Sequence, residues 1–162
     1  MSYSFWEIVG KAKEKAGDDL DSRPDALKSV LMELTPDEIC RFDLDYRKKL
    51  IEAYRWDLWG AAYLINGGCS DDGFDYFRDF LISEGEKIYE AALENPESLA
   101  ELDDIQDADL ESYRYAIDDA YEELTGKEMP FAELAYPSDP EGDDWEEEDL
   151  EKMFPKLAAK YG

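Results

Sequence analysis

The sequence predicts an all-α fold: a compact multi-helix domain with a long central helix, an antiparallel helix hairpin and an acidic C-terminal arm. Three observations predict it. Apolar residues recur at helical spacing along most of the chain, as in Ile39, Phe42, Tyr46, Leu50 and Ala53. Start and stop signals punctuate these runs, the clearest being Thr35-Pro36-Asp37-Glu38 and Asn66-Gly67-Gly68. Runs that alternate β-branched residues, the mark of a half-buried strand, do not occur.

Phe5, Trp6, Val9 and Ala12 share one side of a first helix that ends before Gly17. Ser22 precedes a second helix. Pro24 fits its first turn, and Ala26, Leu27, Val30, Leu31 and Leu34 form its apolar stripe. Thr35 caps the third, Pro36 opens it, and Glu38 stands at the reciprocal capping position. Its stripe runs on through Tyr54, Leu58, Ala61, Ala62 and Ile65, with Gly60 as the one internal breaker. The reading is a single helix over 36–65, about 45 Å long, with a kink or break admissible near 43–46 or at Gly60.

Asn66-Gly67-Gly68 ends that helix, because asparagine and glycine tolerate the left-handed backbone of a C-terminal cap. Ser70 caps the next, with Asp71 and Asp72 in its first turn. This helix is read over 71–93, with Phe74, Phe77, Leu81, Ile88 and Ala92 facing the core and Pro96 beyond its end. The two helices make the expected hairpin. Residues 98–102 read as a helical turn. Residues 109–124 read as a helix with Tyr113, Ala116, Ile117, Ala120, Tyr121 and Leu124 on its apolar side and Gly126 as its cap. Residues 127–143 carry Pro130, Pro137 and Pro140 and read as a loop or surface arm pinned by Phe131 and Tyr136. Residues 144–161 read as a final helix interrupted at Phe154-Pro155. The organisation expected is a helical domain over 1–126, with an acidic loop and C-terminal helix over 127–162 packed on it or extending from it.

At 162 residues and 44% apolar content the chain can bury a substantial core. Its charge is unusual: 43 acids face 17 bases, a net of −26. Residues 94–151 hold 23 Asp and Glu against Arg114 and Lys127 alone, a net of −21. Such a field opposes direct binding to nucleic acid and to anionic membranes, both of which call for basic clusters. It suits a solvated face, or a docking surface for a basic protein. No histidine is present, which removes His-based triads and His-containing zinc patterns. Cys40 and Cys69 make no disulfide framework. The start of the chain lacks the basic and apolar runs of a signal peptide, and no run of eighteen apolar residues occurs, so the expected location is the cytoplasm. The sequence does not fix the oligomeric state.

Costly residue types concentrate between Trp59 and Gly85, and the candidate patch is Trp59, Tyr63, Cys69, Ser70, Asp71, Asp72, Asp75 and Arg78. Each has a structural and a functional reading. Trp59 and Tyr63, four apart, stack along a helix within the core, or offer a platform to a planar ligand. Asp71, Asp72 and Asp75 cap and solvate a helix start, or act as weak candidates for a hard divalent metal, with the Ser70 hydroxyl and backbone carbonyls beside them. Cys69 is a buried inert thiol, or a nucleophile favoured by the helix amides but opposed by the aspartates. Arg78 pairs with Asp75 or an acid on another helix, or anchors an anion. Gly60 and Gly85, read as lying inside helices, mark close packing. Gly67, Gly68 and Gly73 lack the lysine and the glycine pattern of a phosphate cradle. No cofactor is indicated.

The run from Leu58 through Trp59-Gly60-Ala61-Ala62-Tyr63 and Asn66-Gly67-Gly68-Cys69-Ser70-Asp71-Asp72-Gly73 to Phe74, followed by Phe77-Arg78 and Leu81-Ile82, resembles the signature of an uncharacterised bacterial family, domain of unknown function 4240. The opening Phe5-Trp6 matches the family's usual start, and the resemblance covers roughly residues 3–125. It implies a shared small helical fold, names no reaction, and marks Trp59, Cys69, Ser70, Asp71, Asp72 and Arg78 as recurrent positions.

Two functions are therefore expected to compete, beside a third reading in which the Cys69–Arg78 loop is purely architectural. One is a non-catalytic protein-interaction or regulatory module for a basic protein partner. The alternative is a small enzyme or a ligand- or metal-binding domain built on the Cys69–Arg78 loop and helix start. The sequence leaves open whether the chain is an enzyme.

Overall fold

The computed structural model describes residues 3–102, 105, 110–130 and 137–161. Local signals place the first three helices. Helix α1 (Phe5–Ala16) begins at a capping box in which the Ser4 hydroxyl accepts the Glu7 amide and the Glu7 carboxylate accepts the Ser4 amide. Helix α2 (Arg23–Leu31) carries Pro24 in its first turn, and α3 (Pro36–Glu52) starts at the Thr35–Glu38 box. At 17 residues, α3 is the long helix of the domain.

The long helix is not 36–65. It ends at Glu52, and α4 (Trp56–Asn66) follows after a break at residues 53–55. No glycine or proline causes this break. Tertiary partners claim the backbone on both sides of it. The Tyr89 hydroxyl donates to the Lys49 carbonyl at 2.7 Å, and the Arg78 guanidinium donates to the Leu50 carbonyl at 2.6 Å. The Trp56 amide donates to the Glu141 carbonyl, and the Glu141 amide donates to the Tyr54 carbonyl, both at 2.9 Å. These two bonds form an isolated parallel bridge between Arg55 and Glu141. A helix end left without such partners would carry orphaned carbonyls and amides.

The helix expected over 71–93 also divides. Helix α5 (Asp71–Ser83) stops before Gly85, which takes φ 102° and ψ 171°, and α6 (Glu86–Glu94) resumes beyond it. Gly85 therefore joins two helices and does not lie inside one. A six-residue 3-10 turn, Pro96–Glu101, follows, with Asn95 as its cap. Helix α7 (Glu111–Thr125) ends at the left-handed Gly126, and residue 109, the expected start, lies outside the described residues. Phe131 and Tyr136, expected to pin the loop, also lie outside them. The last segment holds a 3-10 turn at Glu147–Asp149, then α8 (Leu150–Met153) and α9 (Pro155–Tyr161), separated at Phe154-Pro155.

The fold is a compact all-helical domain. Helix α2 packs between α1 and α7, and α5 reaches α1, α3 and α7. Leu27, Leu31, Ile39, Phe42, Tyr46, Phe74, Phe77, Leu81, Tyr89 and Ile117 are buried in one continuous core. Phe5 stacks on Phe42 at 4.8 Å and Trp6 leans on Tyr89 at 5.2 Å, so the opening aromatic pair docks α1 on α3 and α6. Leu124, expected on the apolar side of α7, is 39% exposed in its last turn. A second layer forms where the C-terminal segment crosses α4: Leu150, Phe154 and Leu157 are buried, and α4 packs against α8 and α9.

Candidate functional site

The turn from α4 to α5 is held by its own motif residues. Gly67 adopts the left-handed cap and the Gly68 amide returns to the Tyr63 carbonyl at 2.8 Å. The Trp59 indole N–H donates to the Cys69 carbonyl at 2.9 Å, tying the turn to α4. The Ser70 hydroxyl accepts the Gly73 amide at 3.1 Å and so caps α5. Trp59 stacks on Trp56 at 5.4 Å and on Phe74 at 5.1 Å, both nearly parallel. The expected Trp59–Tyr63 stack gives way to this arrangement, because Phe74 from α5 occupies one partner position and Trp56 the other. Tyr63 turns to Trp145, 5.4 Å away at a steep angle.

Arg78 and Asp75 form the pair expected from their spacing, at 2.9 Å. Arg78 is 3% exposed, with its guanidinium carbon 4.8 Å from the ring centres of both Tyr54 and Phe74. A planar cation between two rings, also donating to the Leu50 carbonyl, closes α3 and fastens it to α5.

The chain of charges continues to residues that sequence spacing does not disclose. Arg114 of α7 contacts Asp75 at 3.1 Å and Asp79 at 2.8 Å. Asp79 is fully buried, and the Tyr46 hydroxyl donates to it at 2.6 Å. Two arginines and two aspartates therefore balance in one cluster spanning α5 and α7, with α3 adding Tyr46 and the Leu50 carbonyl. Burial pushes the Asp79 carboxyl up to about 7, against the opposing pull of Arg114 and Tyr46. Burial works against the Arg114 charge too, yet Asp79 and Asp75 leave its proton held more tightly than usual. Burial and then the Asp79 charge keep the Tyr46 hydroxyl protonated. The sequence did carry one signal for this cluster: Arg114 is one of only two bases in the acid-rich stretch 94–151.

The candidate aspartates do not converge. Asp71 and Asp72 are exposed in the first turn of α5, whereas Asp75 is drawn to the arginines. Among the described residues no group of three or more Cys, Asp and Glu side chains is arranged to hold a metal ion. Cys69 is half-buried, and burial pushes its thiol up to about 11, with Arg78 opposing and Asp71 reinforcing the shift. That environment disfavours the thiolate a nucleophile needs. The patch therefore resolves into four parts: a structural ion cluster at Asp75 and Arg78, an exposed acidic cap at Ser70, Asp71 and Asp72, the Trp59–Cys69 tie that holds the turn, and Tyr63, which faces elsewhere.

Tyr63 lines an open cleft of about 630 Å3 between the end of α4 and the C-terminal segment. Gly60 makes this junction possible. A Cβ there would meet Leu150 Cδ2 at 2.7 Å and Trp145 Nε1 at 3.0 Å, so the expected close approach exists, with the C-terminal segment as the neighbour. The Trp145 indole N–H donates to the Trp56 carbonyl at 2.6 Å and fixes the crossing. Glu147, Glu148 and Glu151 are then exposed along the cleft opposite Tyr63.

No helix among the described residues is long and apolar enough to cross a membrane. No curated protein and no solved structure matches the chain. The model of one family, described as protein of unknown function (DUF4240), matches residues 2–123, a span that contains the Phe5-Trp6 opening, the Trp59–Phe74 turn and both arginines of the buried cluster, and the chain belongs to that family.

Proposed function

We propose that the chain is a non-catalytic protein-interaction or regulatory module whose partner is a basic protein, acting in the cytoplasm. The observation that carries this reading is how the charges divide. The arginines at the centre of the domain, Arg78 and Arg114, are consumed by Asp75 and Asp79. The acids on α7 and on the C-terminal segment that form no ion pair among the described residues include Asp118, Asp119, Glu122, Glu147 and Glu148, while Glu123 pairs with Lys28 at 2.5 Å. The stretch that holds them, 94–151, carries a net of −21. A surface of one sign steers an oppositely charged partner and rejects acidic ones. On this reading residues 127–162 serve as an acidic arm, and α4 and α5 as an antiparallel hairpin that supports it.

The test is capture of partners by the full chain at about 0.1 M and about 1 M salt, where the screening length falls from about 10 Å to about 3 Å. Each captured protein is then purified and its binding measured directly. A basic protein that binds saturably, weakens with salt and weakens again when Asp118, Asp119 and Glu122 are all changed to Asn or Gln supports the module. Finding only salt-insensitive partners, or none that rebinds when pure, overturns it.

A further inference from the structure

We infer that the cleft between α4 and the C-terminal segment receives arginine side chains from an extended segment of the basic partner; this rests on the docking-module reading and names its contact surface. The cleft is a consequence of local chemistry. Gly60 lets Leu150 and Trp145 approach the helix, and the Trp145 N–H to Trp56 carbonyl bond fixes the crossing. The turn bearing Glu147 and Glu148, and Glu151 of α8 beside it, are thereby held over the end of α4.

The lining fits a guanidinium at three levels. Its volume, about 630 Å3, accommodates a long side chain with its flanking backbone and falls in the range of ligand-holding clefts. Its walls include the rings of Tyr63 and Tyr161, with buried Leu150 beneath. The Tyr161 hydroxyl accepts the Ile105 amide at 3.0 Å, which anchors that ring, and the chain's own Lys160 ammonium lies 5.5 Å from its centre. Its lining is acidic. Glu147, Glu148 and Glu151 form no ion pair among the described residues, and no lysine or arginine lines the cleft. Burial first, and then the Glu147 charge and its hydrogen bond, raise the proton affinity of the Tyr63 hydroxyl. Three like charges sharing a wall repel one another until a cation enters. Arginine answers this wall better than lysine, because a planar fork both stacks on tyrosine and bridges carboxylates.

The experiment titrates the full chain with an acetylated and amidated hexapeptide of alternating glycine and arginine, followed by calorimetry and by amide chemical shifts. The lysine and glutamine counterparts and spermidine are the comparison probes. Thermal melts establish that each variant is folded. The expected affinity order is arginine, then lysine, with the glutamine peptide silent, and shifts centred on Tyr63, Gly67 and residues 147–151. E147Q/E151Q should weaken the arginine peptide at least about tenfold, and the remote pair E86Q/E90Q no more than about twofold. Tyr63→Leu should erase the preference for arginine over lysine. Equal weakening by both glutamate pairs, or spermidine binding as tightly as the peptide, overturns the cleft assignment. So does an arginine peptide that fails to bind. In each case the module reading stands or falls separately, on whether a purified basic partner still binds in a salt-sensitive way.

Discussion

Arg78 closes helix α3 from a different helix: its guanidinium donates to the Leu50 carbonyl at 2.6 Å across 28 residues of sequence. The last carbonyls of a helix lack partners of their own, and the negative end of the helix dipole favours a cation. One side chain thus supplies a cap, a salt bridge to Asp75, and a filling between Tyr54 and Phe74.

Arg78→Met should therefore destabilise the fold by about 2–4 kcal/mol, since it orphans a buried carbonyl and removes the paired rings' cation. Arg78→Lys should recover less than half of that loss, because a point charge cannot serve the carbonyl, the carboxylate and both rings together. Urea unfolding of the two variants measures this. Equal stabilities for the Arg78→Lys and Arg78→Met proteins would locate the effect in the planar fork, and wild-type stability for either would contradict the capping role.

Two glycines separate packing from backbone conformation. Gly60 lies in regular helix, where alanine ordinarily gains about 1 kcal/mol. Here a Cβ would strike Leu150 and Trp145, so Gly60→Ala should cost about 1–3 kcal/mol. It should also loosen residues 145–157, read as faster amide exchange there. A stabilised Gly60→Ala protein would mean that the C-terminal segment yields freely.

Gly85 is the converse case. Nothing lies within 4 Å of a Cβ built on it, but its φ of 102° suits glycine. Gly85→Ala should cost about 1–3 kcal/mol through backbone strain alone. Its hydrogen-exchange signature should centre on the junction of α5 and α6 and leave the C-terminal segment undisturbed.

These contrasts explain what was legible in the sequence. The starts of α1, α2, α3 and α5 follow from residues within three or four positions of one another, and a local code can be read locally. The break at 53–55 has no local cause, since Arg78, Tyr89 and Glu141 make it from afar. Gly85 was visible as a costly glycine, yet its positive φ depends on how α5 and α6 pack. In the candidate patch, the Asp75–Arg78 pair follows from helical spacing. Asp79 lies 33 residues from Tyr46 and 35 from Arg114, and the three meet only because α3, α5 and α7 do. Tyr63 looked like the partner of Trp59, and only the Trp145 crossing assigns it to a different surface.

Cys69 gives a chemical check on the turn. With its thiol pushed up to about 11, it should be alkylated by iodoacetamide far more slowly than an ordinary thiol at pH 8, where a free cysteine of pKa about 8.5 is already substantially ionised. The rate should rise about tenfold per pH unit and level off only above about pH 11. Peptide mapping distinguishes Cys69 from Cys40. Fast labelling of Cys69 at neutral pH would reveal a stabilised thiolate and revive it as a nucleophile.

Asp79 makes stability depend on pH. Its carboxyl titrates near about 7 in the fold, against about 3.9 in an unfolded chain, because burial penalises the charge more than Arg114 and Tyr46 favour it. The folded state therefore binds the proton more tightly than the unfolded state. The contribution is fully present below about pH 4 and is lost as pH rises through about 7, with an upper limit of about 4 kcal/mol. Wild-type protein should lose stability between about pH 5 and pH 8, and Asp79→Asn should lose markedly less over the same interval. Arg114→Met should be destabilised by about 3–5 kcal/mol at pH 8, where it leaves a buried carboxylate unpaired, and by clearly less at pH 5, where protonation neutralises that carboxylate. Denaturant midpoints at the two pH values give both comparisons. Parallel pH profiles for wild type and Asp79→Asn would show that Asp79 stays ionised throughout, held as a permanent partner of Arg114.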